Sequence, residues 1–555
     1  MAVICFEPVC GYLLEPATTS RLRRAVELRH GICSQENRSP MNWRGAQYFW
    51  ILIFLGQLAA RAQSLDTIGV TLLRTVTTNV NGTGIRVAQP EAFDLNTTNW
   101  EVNPNSSQVE HPVSLFTYTS SLGSVSTYPN SINTESGHAD GVAEYFYGMP
   151  DGVATNVVHV DNYDANYFFN SIVAVHTPPN INDRVVNQSF TFGSVATNTQ
   201  VLLDTNYDNY AARYNTLFIS GANNSGPVSP PATCYNGLGV GAYGGSSSFG
   251  PTLDNGRAKP DITAPSGETS FSTPQVAGAA AALVQAGARG DGGSPTNAAT
   301  DIRTVKALLM NGAVKPANWA NKAPSPLDTN YGAGVLNVFN SYKQLIGGRH
   351  VYIASTSVST NSPHPPNGVA GTIGVLSGWD FNTNTSSASA DSVYHYYFNV
   401  TNVLSNAAFT ATATLVWNRQ RNQSSINDLN LFLYNAANSN LVAASTSVVD
   451  NVEHIFLPNL AQGRYDLQVW KAGGSFVSAS ETYALAFDFT PPFIEQAGPR
   501  VALTWPAVFG VETTTNLATA NWIVLTNPAP TVLYGQSQVL LTATNTSQFF
   551  RLRKP

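Results

Sequence analysis

Residues 256–287 have the sequence GRAKPDITAPSGETSFSTPQVAGAAAALVQAG and decide the fold of the longest part of the chain. A short apolar run ends at Gly267, and a turn of small residues follows it. The run of Ala, Val and Leu over 275–286 predicts a buried helix, and Pro274 suits its first turn. A serine just before such a helix lies among unpaired N–H donors, at the positive end of the helix dipole. Taken alone, such a serine is better explained as a helix cap.

Ser270 and Ser272 are the two candidate serines of this turn, and a longer pattern favours Ser270. The segments Lys259-Pro260-Asp261, Thr269-Ser270, Thr273-Pro274 and Val276-Ala277-Gly278 together resemble the nucleophile segment of the subtilisin-like serine proteases. In that family the nucleophile stands three residues before the Thr-Pro pair, so the resemblance implies Ser270. The chain departs from the family at Glu268, where Gly is usual.

The third member of a serine-protease triad is implied near the start of the same region. The alternation of Ile85 and Val87 predicts a strand that ends close to Glu91. The family has its triad aspartate at the end of such a strand, and the resemblance therefore implies Glu91 in that role. A glutamate can also orient an imidazole and stabilise its cation. Asp94 and Asp161 are the alternative acids.

The general base implied by the resemblance is His138. It opens a stretch in which Val142 and Phe146 share one helical face, and the family has its histidine at the mouth of such a helix. His159 and His176 compete with it, but both lie in apolar runs that predict strands. A hydrogen-bonded core histidine is the expected role at those two positions.

Two further residues complete the implied site. Residues 216–220 predict a strand, and the turn after it resembles the family turn whose Asn donates to the oxyanion, which implies Asn224; as an isolated motif it is only a polar loop. Asn223 stands where the family has Gly, and Asn tolerates the left-handed backbone expected there. Residues 184–190 predict a strand resembling one whose backbone pairs with an extended substrate, which implies Ser189 as a substrate-binding residue.

The 555 residues are too many for one compact core, so several domains are expected. We predict a peptidase domain over 63–346, an α/β fold in which a mostly parallel sheet carries helices on both faces. Short strands broken by Asn, Ser and Gly predict a β-sandwich over 347–490, which resembles the jelly-roll modules that follow secreted subtilisin-like proteases. Residues 491–555 predict a small C-terminal β module.

The beginning of the chain indicates export. Residues 50–60 form the one strongly apolar stretch, which is too short for a comfortable membrane span. We predict a signal peptide over 41–62, with residues 1–40 an over-extended start; a single anchoring helix is the alternative. Of the cysteines Cys5, Cys10, Cys33 and Cys234, cleavage would leave only Cys234, which cannot form an internal disulfide.

The expected function is that of a secreted or cell-surface serine endopeptidase with a Ser/His/Glu acyl-enzyme mechanism, acting on protein or peptide substrates. The alternative is a catalytically silent secreted protein that acts in adhesion or glycan binding, with the C-terminal modules making surface or glycan contacts. A net charge of −6 argues against nucleic acid as a partner. No cofactor is expected, because no Cys/His cluster has zinc spacing. Calcium is common in the family, but no loop has readable ligand spacing.

Overall fold

The computed structural model describes residues 65–553 except 150, 322–323, 360–370, 402–408, 475–476, 491–492, 498–499, 507–509, 516–520, 534–535 and 543–547. The expected signal peptide at 41–62, the alternative anchoring helix and residues 1–40 lie outside this part. Among the residues that the structure does describe, no helix combines the length and apolar character needed to cross a membrane.

An eight-stranded sheet forms the centre of the N-terminal part, in the order β10-β7-β6-β5-β1-β4-β2-β3. Neighbouring strands are parallel, except that β2 and β3 form an antiparallel hairpin. The strands of this part, including the short separate pair β8 and β9, are β1 Arg86–Glu91, β2 Phe116–Ser120, β3 Gly123–Val125, β4 His159–Asp164, β5 Val185–Gln188, β6 Leu217–Gly221, β7 Leu238–Tyr243, β8 Gly250–Pro251, β9 Ala258–Lys259 and β10 Ile262–Pro265.

The α-helical segments named beside this sheet are α1 Val70–Val76, α2 Gly137–Phe146, α3 Ala165–Tyr167, α4 Thr197–Tyr214, α5 Thr269–Arg289, α6 Thr296–Ala299, α7 Ile302–Gly312 and α8 Val338–Ile346. A 3₁₀ turn, Val113–Leu115, precedes β2, and a π-helical turn, Phe168–Val173, follows α3. Helix α5 packs against α2 and against β5, β6, β7 and β10. Its residues 276–284 are almost completely buried, as the run of small apolar residues predicts.

Two stacked antiparallel sheets follow, in the orders β11-β13-β18-β15-β16 and β12-β19-β14-β17. Their inward side chains form a separate apolar core that includes Trp417, Leu431 and Phe487. The strands are β11 Ala354–Ser359, β12 Ser377–Thr385, β13 Ala390–Val400, β14 Phe409–Trp417, β15 Leu429–Asn435, β16 Asn440–Ser445, β17 Val452–Leu460, β18 Gly463–Lys471 and β19 Ser480–Thr490. This is a β-sandwich.

The last strands form two small antiparallel sheets, β20-β21-β25-β24 and β23-β22-β26. Leu503, Trp505 and Val539 belong to their own small apolar core. The strands are β20 Phe493–Ala497, β21 Arg500–Pro506, β22 Gly510–Thr514, β23 Ile523–Val524, β24 Thr531–Leu533, β25 Gln536–Thr542 and β26 Phe549–Arg553.

The predicted fold class is confirmed in its main features, a mostly parallel sheet with helices followed by antiparallel β sheets. The domain boundaries and the jelly-roll connectivity stay predictions. Two local predictions were wrong. His176 lies in an exposed bend after the π-helical turn, where burial of Phe169, Ile172 and Val173 gives a helical rather than a strand pattern. Helix α5 begins at Thr269, so Pro274 is its sixth residue and lies beyond the first turn.

The sandwich is packed directly onto the N-terminal part that holds the eight-stranded sheet, here called the peptidase-like part. Trp379, Val416 and Ala486 of the sandwich belong to the same apolar cluster as the buried side chains of α5, α7 and α8. Polar groups also cross the boundary: Asn236 exchanges two hydrogen bonds with the backbone of Arg419, at 2.8 and 3.0 Å. Within the described residues, the two parts therefore share one interior.

Candidate active site

The carboxyl ends of three neighbouring parallel strands bring candidate side chains to one edge of the sheet. Glu91 is the last residue of β1, Ser189 follows β5 directly, and Asn224 comes three residues after β6. β1, β5 and β6 are adjacent in the sheet order. In open parallel sheets this edge is where ligands bind.

Glu91 is fully buried and contacts His138, its Oε2 lying 3.0 Å from Nδ1 of the imidazole. The other carboxylate oxygen accepts a hydrogen bond of 2.9 Å from the side-chain amide of Gln89. Gln89 is held in turn by the Tyr147 hydroxyl, which donates to its Oε1 at 2.6 Å. Both oxygens of the carboxylate therefore have partners, and its orientation toward His138 is fixed.

His138 is the second residue of α2. Ser136 caps this helix, since its hydroxyl accepts from the N–H of Ala139 at 3.0 Å. Burial lowers the pKa of His138, but the charge and hydrogen bond of Glu91 outweigh burial and raise it above the ordinary imidazole value. The other ring nitrogen, Nε2, is buried and has no hydrogen-bond partner. That atom is free to accept a proton.

The alternative acids and histidines are engaged elsewhere. Asp94 accepts from the hydroxyl of Ser136 at 2.8 Å, and Asp161 pairs with Arg86 at 2.5 Å. His159 lies in β4, where its Nε2 is 3.0 Å from the Thr117 hydroxyl and 3.3 Å from Asp161. His159 and Asp161 also lie close together, but at the start of β4 beside Arg86, whereas Glu91 and His138 meet at the carboxyl end of β1.

Ser270 is the second residue of α5 and is fully buried. Its neighbour Phe271 lies against the histidine, with ring centroids of Phe271 and His138 6.0 Å apart. The Ser270 hydroxyl is 3.5 Å from the carbonyl oxygen of Ser189, its partner in this conformation. No hydrogen bond joins the Ser270 hydroxyl to Nε2 of His138 here, although Phe271, next to Ser270, contacts the imidazole. Catalytic hydrogen bonds are often long or misaligned without substrate.

Pro274 leaves the backbone carbonyl of Ser270 without its usual helical hydrogen bond. In a helix the N–H of residue 274 would bond to the carbonyl of residue 270, but Pro274 has no N–H. The Ser189 hydroxyl donates to the Ser270 carbonyl instead, at 2.9 Å. Ser189 also accepts from the side-chain amide of Asn187 at 3.0 Å. Ser189 is completely buried, and its hydroxyl positions Ser270; its contact with substrate stays a prediction.

Asn224 lies beside the start of α5. Its Oδ1 accepts two hydrogen bonds from Thr269, one of 2.9 Å from the backbone N–H and one of 2.7 Å from the hydroxyl. These bonds identify the oxygen end of the amide, so the NH₂ end is turned the other way. Asn223 has φ of 97°, the left-handed backbone predicted for it.

Gln89 is a site residue that the sequence patterns did not indicate. It stands two residues before Glu91 in a buried strand, so both side chains point to the same face. A polar residue at an otherwise apolar position of a buried strand is the signal that could have found it, because such a group needs a partner. For metals, the described residues contain no group of three His, Cys, Asp or Glu side chains arranged to hold an ion, and calcium is assigned no ligands.

The family comparison covers the histidine and the serine. Residues 117–334 match the model of the subtilase family, Peptidase S8. This match covers less than half of the chain. His138, Asn224 and Ser270 lie inside the matched segment, whereas Glu91 lies before it. The match supports a serine peptidase in this part of the chain, and peptidases of that family act on proteins or peptides. No curated protein matches the chain.

Three solved structures resemble the chain at low identity. The prenylagaramide maturation protease PagA is 20% identical, with a TM-score of 0.34, over 50% of this chain and 99% of its own. A serine protease of Aeromonas sobria is 14% identical, with a TM-score of 0.32, over 84% of this chain and 89% of its own. A protease of Pseudoalteromonas arctica is 18% identical, with a TM-score of 0.32, over 49% of this chain and 93% of its own.

Proposed function

We propose that the chain is an exported serine endopeptidase in which Ser270 is the nucleophile, His138 the general base and Glu91 the acid that orients it. The observation that carries this proposal is the 3.0 Å contact between the Glu91 carboxylate and Nδ1 of His138, with Nε2 left unpartnered. A carboxylate at Nδ1 fixes the tautomer whose Nε2 carries the lone pair. The family match supports the same chemistry.

The proposed reaction follows the acyl-enzyme route. In this proposal the Ser270 hydroxyl leaves the Ser189 carbonyl and gives its proton to Nε2 of His138 as Oγ attacks the peptide carbonyl. The imidazolium that forms is stabilised by Glu91 and then protonates the leaving amine. In the second half of the reaction His138 takes a proton from water, which attacks the acyl-enzyme. The carboxylic acid product leaves, and Ser270 regains its proton.

The developing oxyanion is assigned two donors. One is the backbone N–H of Ser270, which stands in the first turn of α5 and has no acceptor within the helix. The other is the side-chain NH₂ of Asn224, whose oxygen end is held by Thr269. In subtilisin, loss of one such side-chain donor costs about 2.7–4 kcal/mol of transition-state stabilisation.

Export and the accessory parts belong to the same proposal. Secretion to the medium or cell surface rests on the apolar segment at 50–60, no cofactor is required, and calcium is left unassigned. The C-terminal module is proposed to make surface or glycan contacts.

The test combines activity with chemical labelling. Wild type should cleave casein and react with a serine-directed phosphonate, and mass spectrometry of the labelled protein should place the adduct on Ser270. Ser270→Ala should abolish both, whereas Ser272→Ala, which changes a neighbouring buried serine, should keep the labelling site. A correctly folded wild type as inert as Ser270→Ala would favour the catalytically silent alternative.

A further inference from the structure

Glu268 occupies a position beside the proposed oxyanion donors. It is the N-cap residue of α5, its side chain is exposed, and its carboxylate accepts a hydrogen bond of 3.2 Å from Nδ2 of Asn224. Since Thr269 holds the oxygen end of the same amide, the NH₂ end is directed at Glu268. The donor proposed for the substrate oxyanion is therefore taken by a carboxylate of the chain itself.

This arrangement sets two negative charges in competition. The N-terminus of α5 and the side-chain amide of Asn224 favour a negative charge beside them. In the substrate-free protein that charge is the carboxylate of Glu268. When a tetrahedral intermediate forms, its oxyanion needs the same donors and is repelled by the carboxylate. A substrate without a positively charged side chain must therefore displace the Glu268 carboxylate from Asn224 and offer it no cation in return.

Within the described part of the chain, no Lys, Arg or His forms an ion pair with Glu268. A cation of the substrate would supply the counter-charge that this part of the chain lacks. An exposed carboxylate next to the scissile bond matches a Lys or Arg side chain of the substrate, whose ammonium or guanidinium would draw Glu268 off Asn224. One contact would then both neutralise the carboxylate and free the oxyanion donor.

We propose that Glu268 is a specificity-determining residue that selects peptides carrying a Lys or Arg side chain next to the scissile bond. The proposal rests on the serine peptidase function above and names its substrate class. In the substrate-free protein, the Glu268 carboxylate accepts the hydrogen bond from the Asn224 amide. In the substrate complex, Glu268 binds the cationic side chain, and Asn224 binds the oxyanion.

The experiment measures kcat/KM for matched fluorogenic peptides with Lys or norleucine on either side of the cleaved bond. Norleucine keeps the straight chain and lacks the charge. Wild type should prefer Lys at one of the two positions by at least about tenfold. Glu268→Gln should bring the ratio close to one by slowing the Lys peptide and speeding the norleucine peptide. Added NaCl should reduce the ratio in wild type only, since salt screens exposed charges.

The control is Glu110→Gln, the same change at another exposed glutamate, which should keep the wild-type ratio. Melting temperatures check that both variants fold. Equal ratios in wild type and Glu268→Gln, or a wild-type ratio of one, would overturn the selectivity while leaving the peptidase function intact. If wild type cleaves no peptide and its Ser270 does not react with the phosphonate, the peptidase function fails, and the selectivity fails with it.

Discussion

Oε2 of Glu91 lies 3.0 Å from Nδ1 of His138, and the carboxylate is completely buried. In the proposed triad Glu91 takes the place of the family's shorter aspartate, so its extra methylene has to be accommodated. The side chain is fixed from behind, because Gln89 donates to its second oxygen and Tyr147 donates to Gln89. The chain of hydrogen bonds Tyr147–Gln89–Glu91 gives the longer acid a defined orientation.

We expect Glu91→Gln to lower kcat severely while the fold is kept. An amide cannot stabilise the imidazolium, and it can donate to Nδ1 and so select the wrong tautomer. The corresponding Asp→Asn change in the type-case triad lowers kcat by about 10⁴. Steady-state kinetics on a peptide substrate measure the loss. A Glu91→Gln variant with wild-type kcat would show that Glu91 has no role in the reaction.

The pH profile should report the same contact. Glu91 raises the pKa of His138, and the base must be neutral, so kcat/KM should fall as the pH decreases through this raised pKa. In Glu91→Gln the raising charge is gone and burial remains, so the acid limb of the residual activity should move to lower pH. Profiles of kcat/KM for both proteins test this. An unmoved acid limb would assign it to a different group.

The effects of substitutions at Ser189 and Pro274 on the free energy of unfolding should not be additive. Ser189→Ala leaves the buried Ser270 carbonyl without its donor, which should lower the free energy of unfolding by about 1–3 kcal/mol. Pro274→Ala restores a helical N–H to the same carbonyl, so the serine change should cost much less in that background. Chemical denaturation of the four proteins completes the double-mutant cycle. Additive effects would mean that the Ser270 carbonyl does not depend on Ser189.

The sequence predicted those parts of the fold and site that depend on local patterns. The alternation ending at Glu91 and the small-residue helix after Ser270 are visible in neighbouring residues, and so is the left-handed turn at Asn223. The start of α5 differs from the prediction because proline usually marks a first turn, whereas Ser189, distant in sequence, supplies the bond that Pro274 cannot.

The sequence patterns also did not predict polar contacts between distant segments, because such patterns describe neighbouring residues only. Asn311 of α7 accepts hydrogen bonds from Thr412 and Thr414 of the sandwich, about a hundred positions further along the chain. Nothing local distinguishes these threonines from solvent-facing residues of an ordinary strand. The shared interior of the two parts follows from such contacts.

Arg419 tests whether that shared interior stabilises the peptidase-like part. Its guanidinium lies 2.7 Å from Asp208 of α4, and the side chains are only 4% and 2% exposed. Arg419→Ala would leave the Asp208 carboxylate buried without its counter-charge, which should cost about 3–5 kcal/mol of unfolding free energy. Thermal or chemical denaturation measures the loss.

The matched control for this change is Arg421→Ala. Arg421 is exposed, and its loss should change stability by no more than about 0.5 kcal/mol. Because the sandwich supplies the charge that Asp208 needs, Arg419→Ala should destabilise the peptidase-like part in the same transition as the sandwich. Two separate transitions, with only the sandwich affected, would instead show that the domains are stable independently.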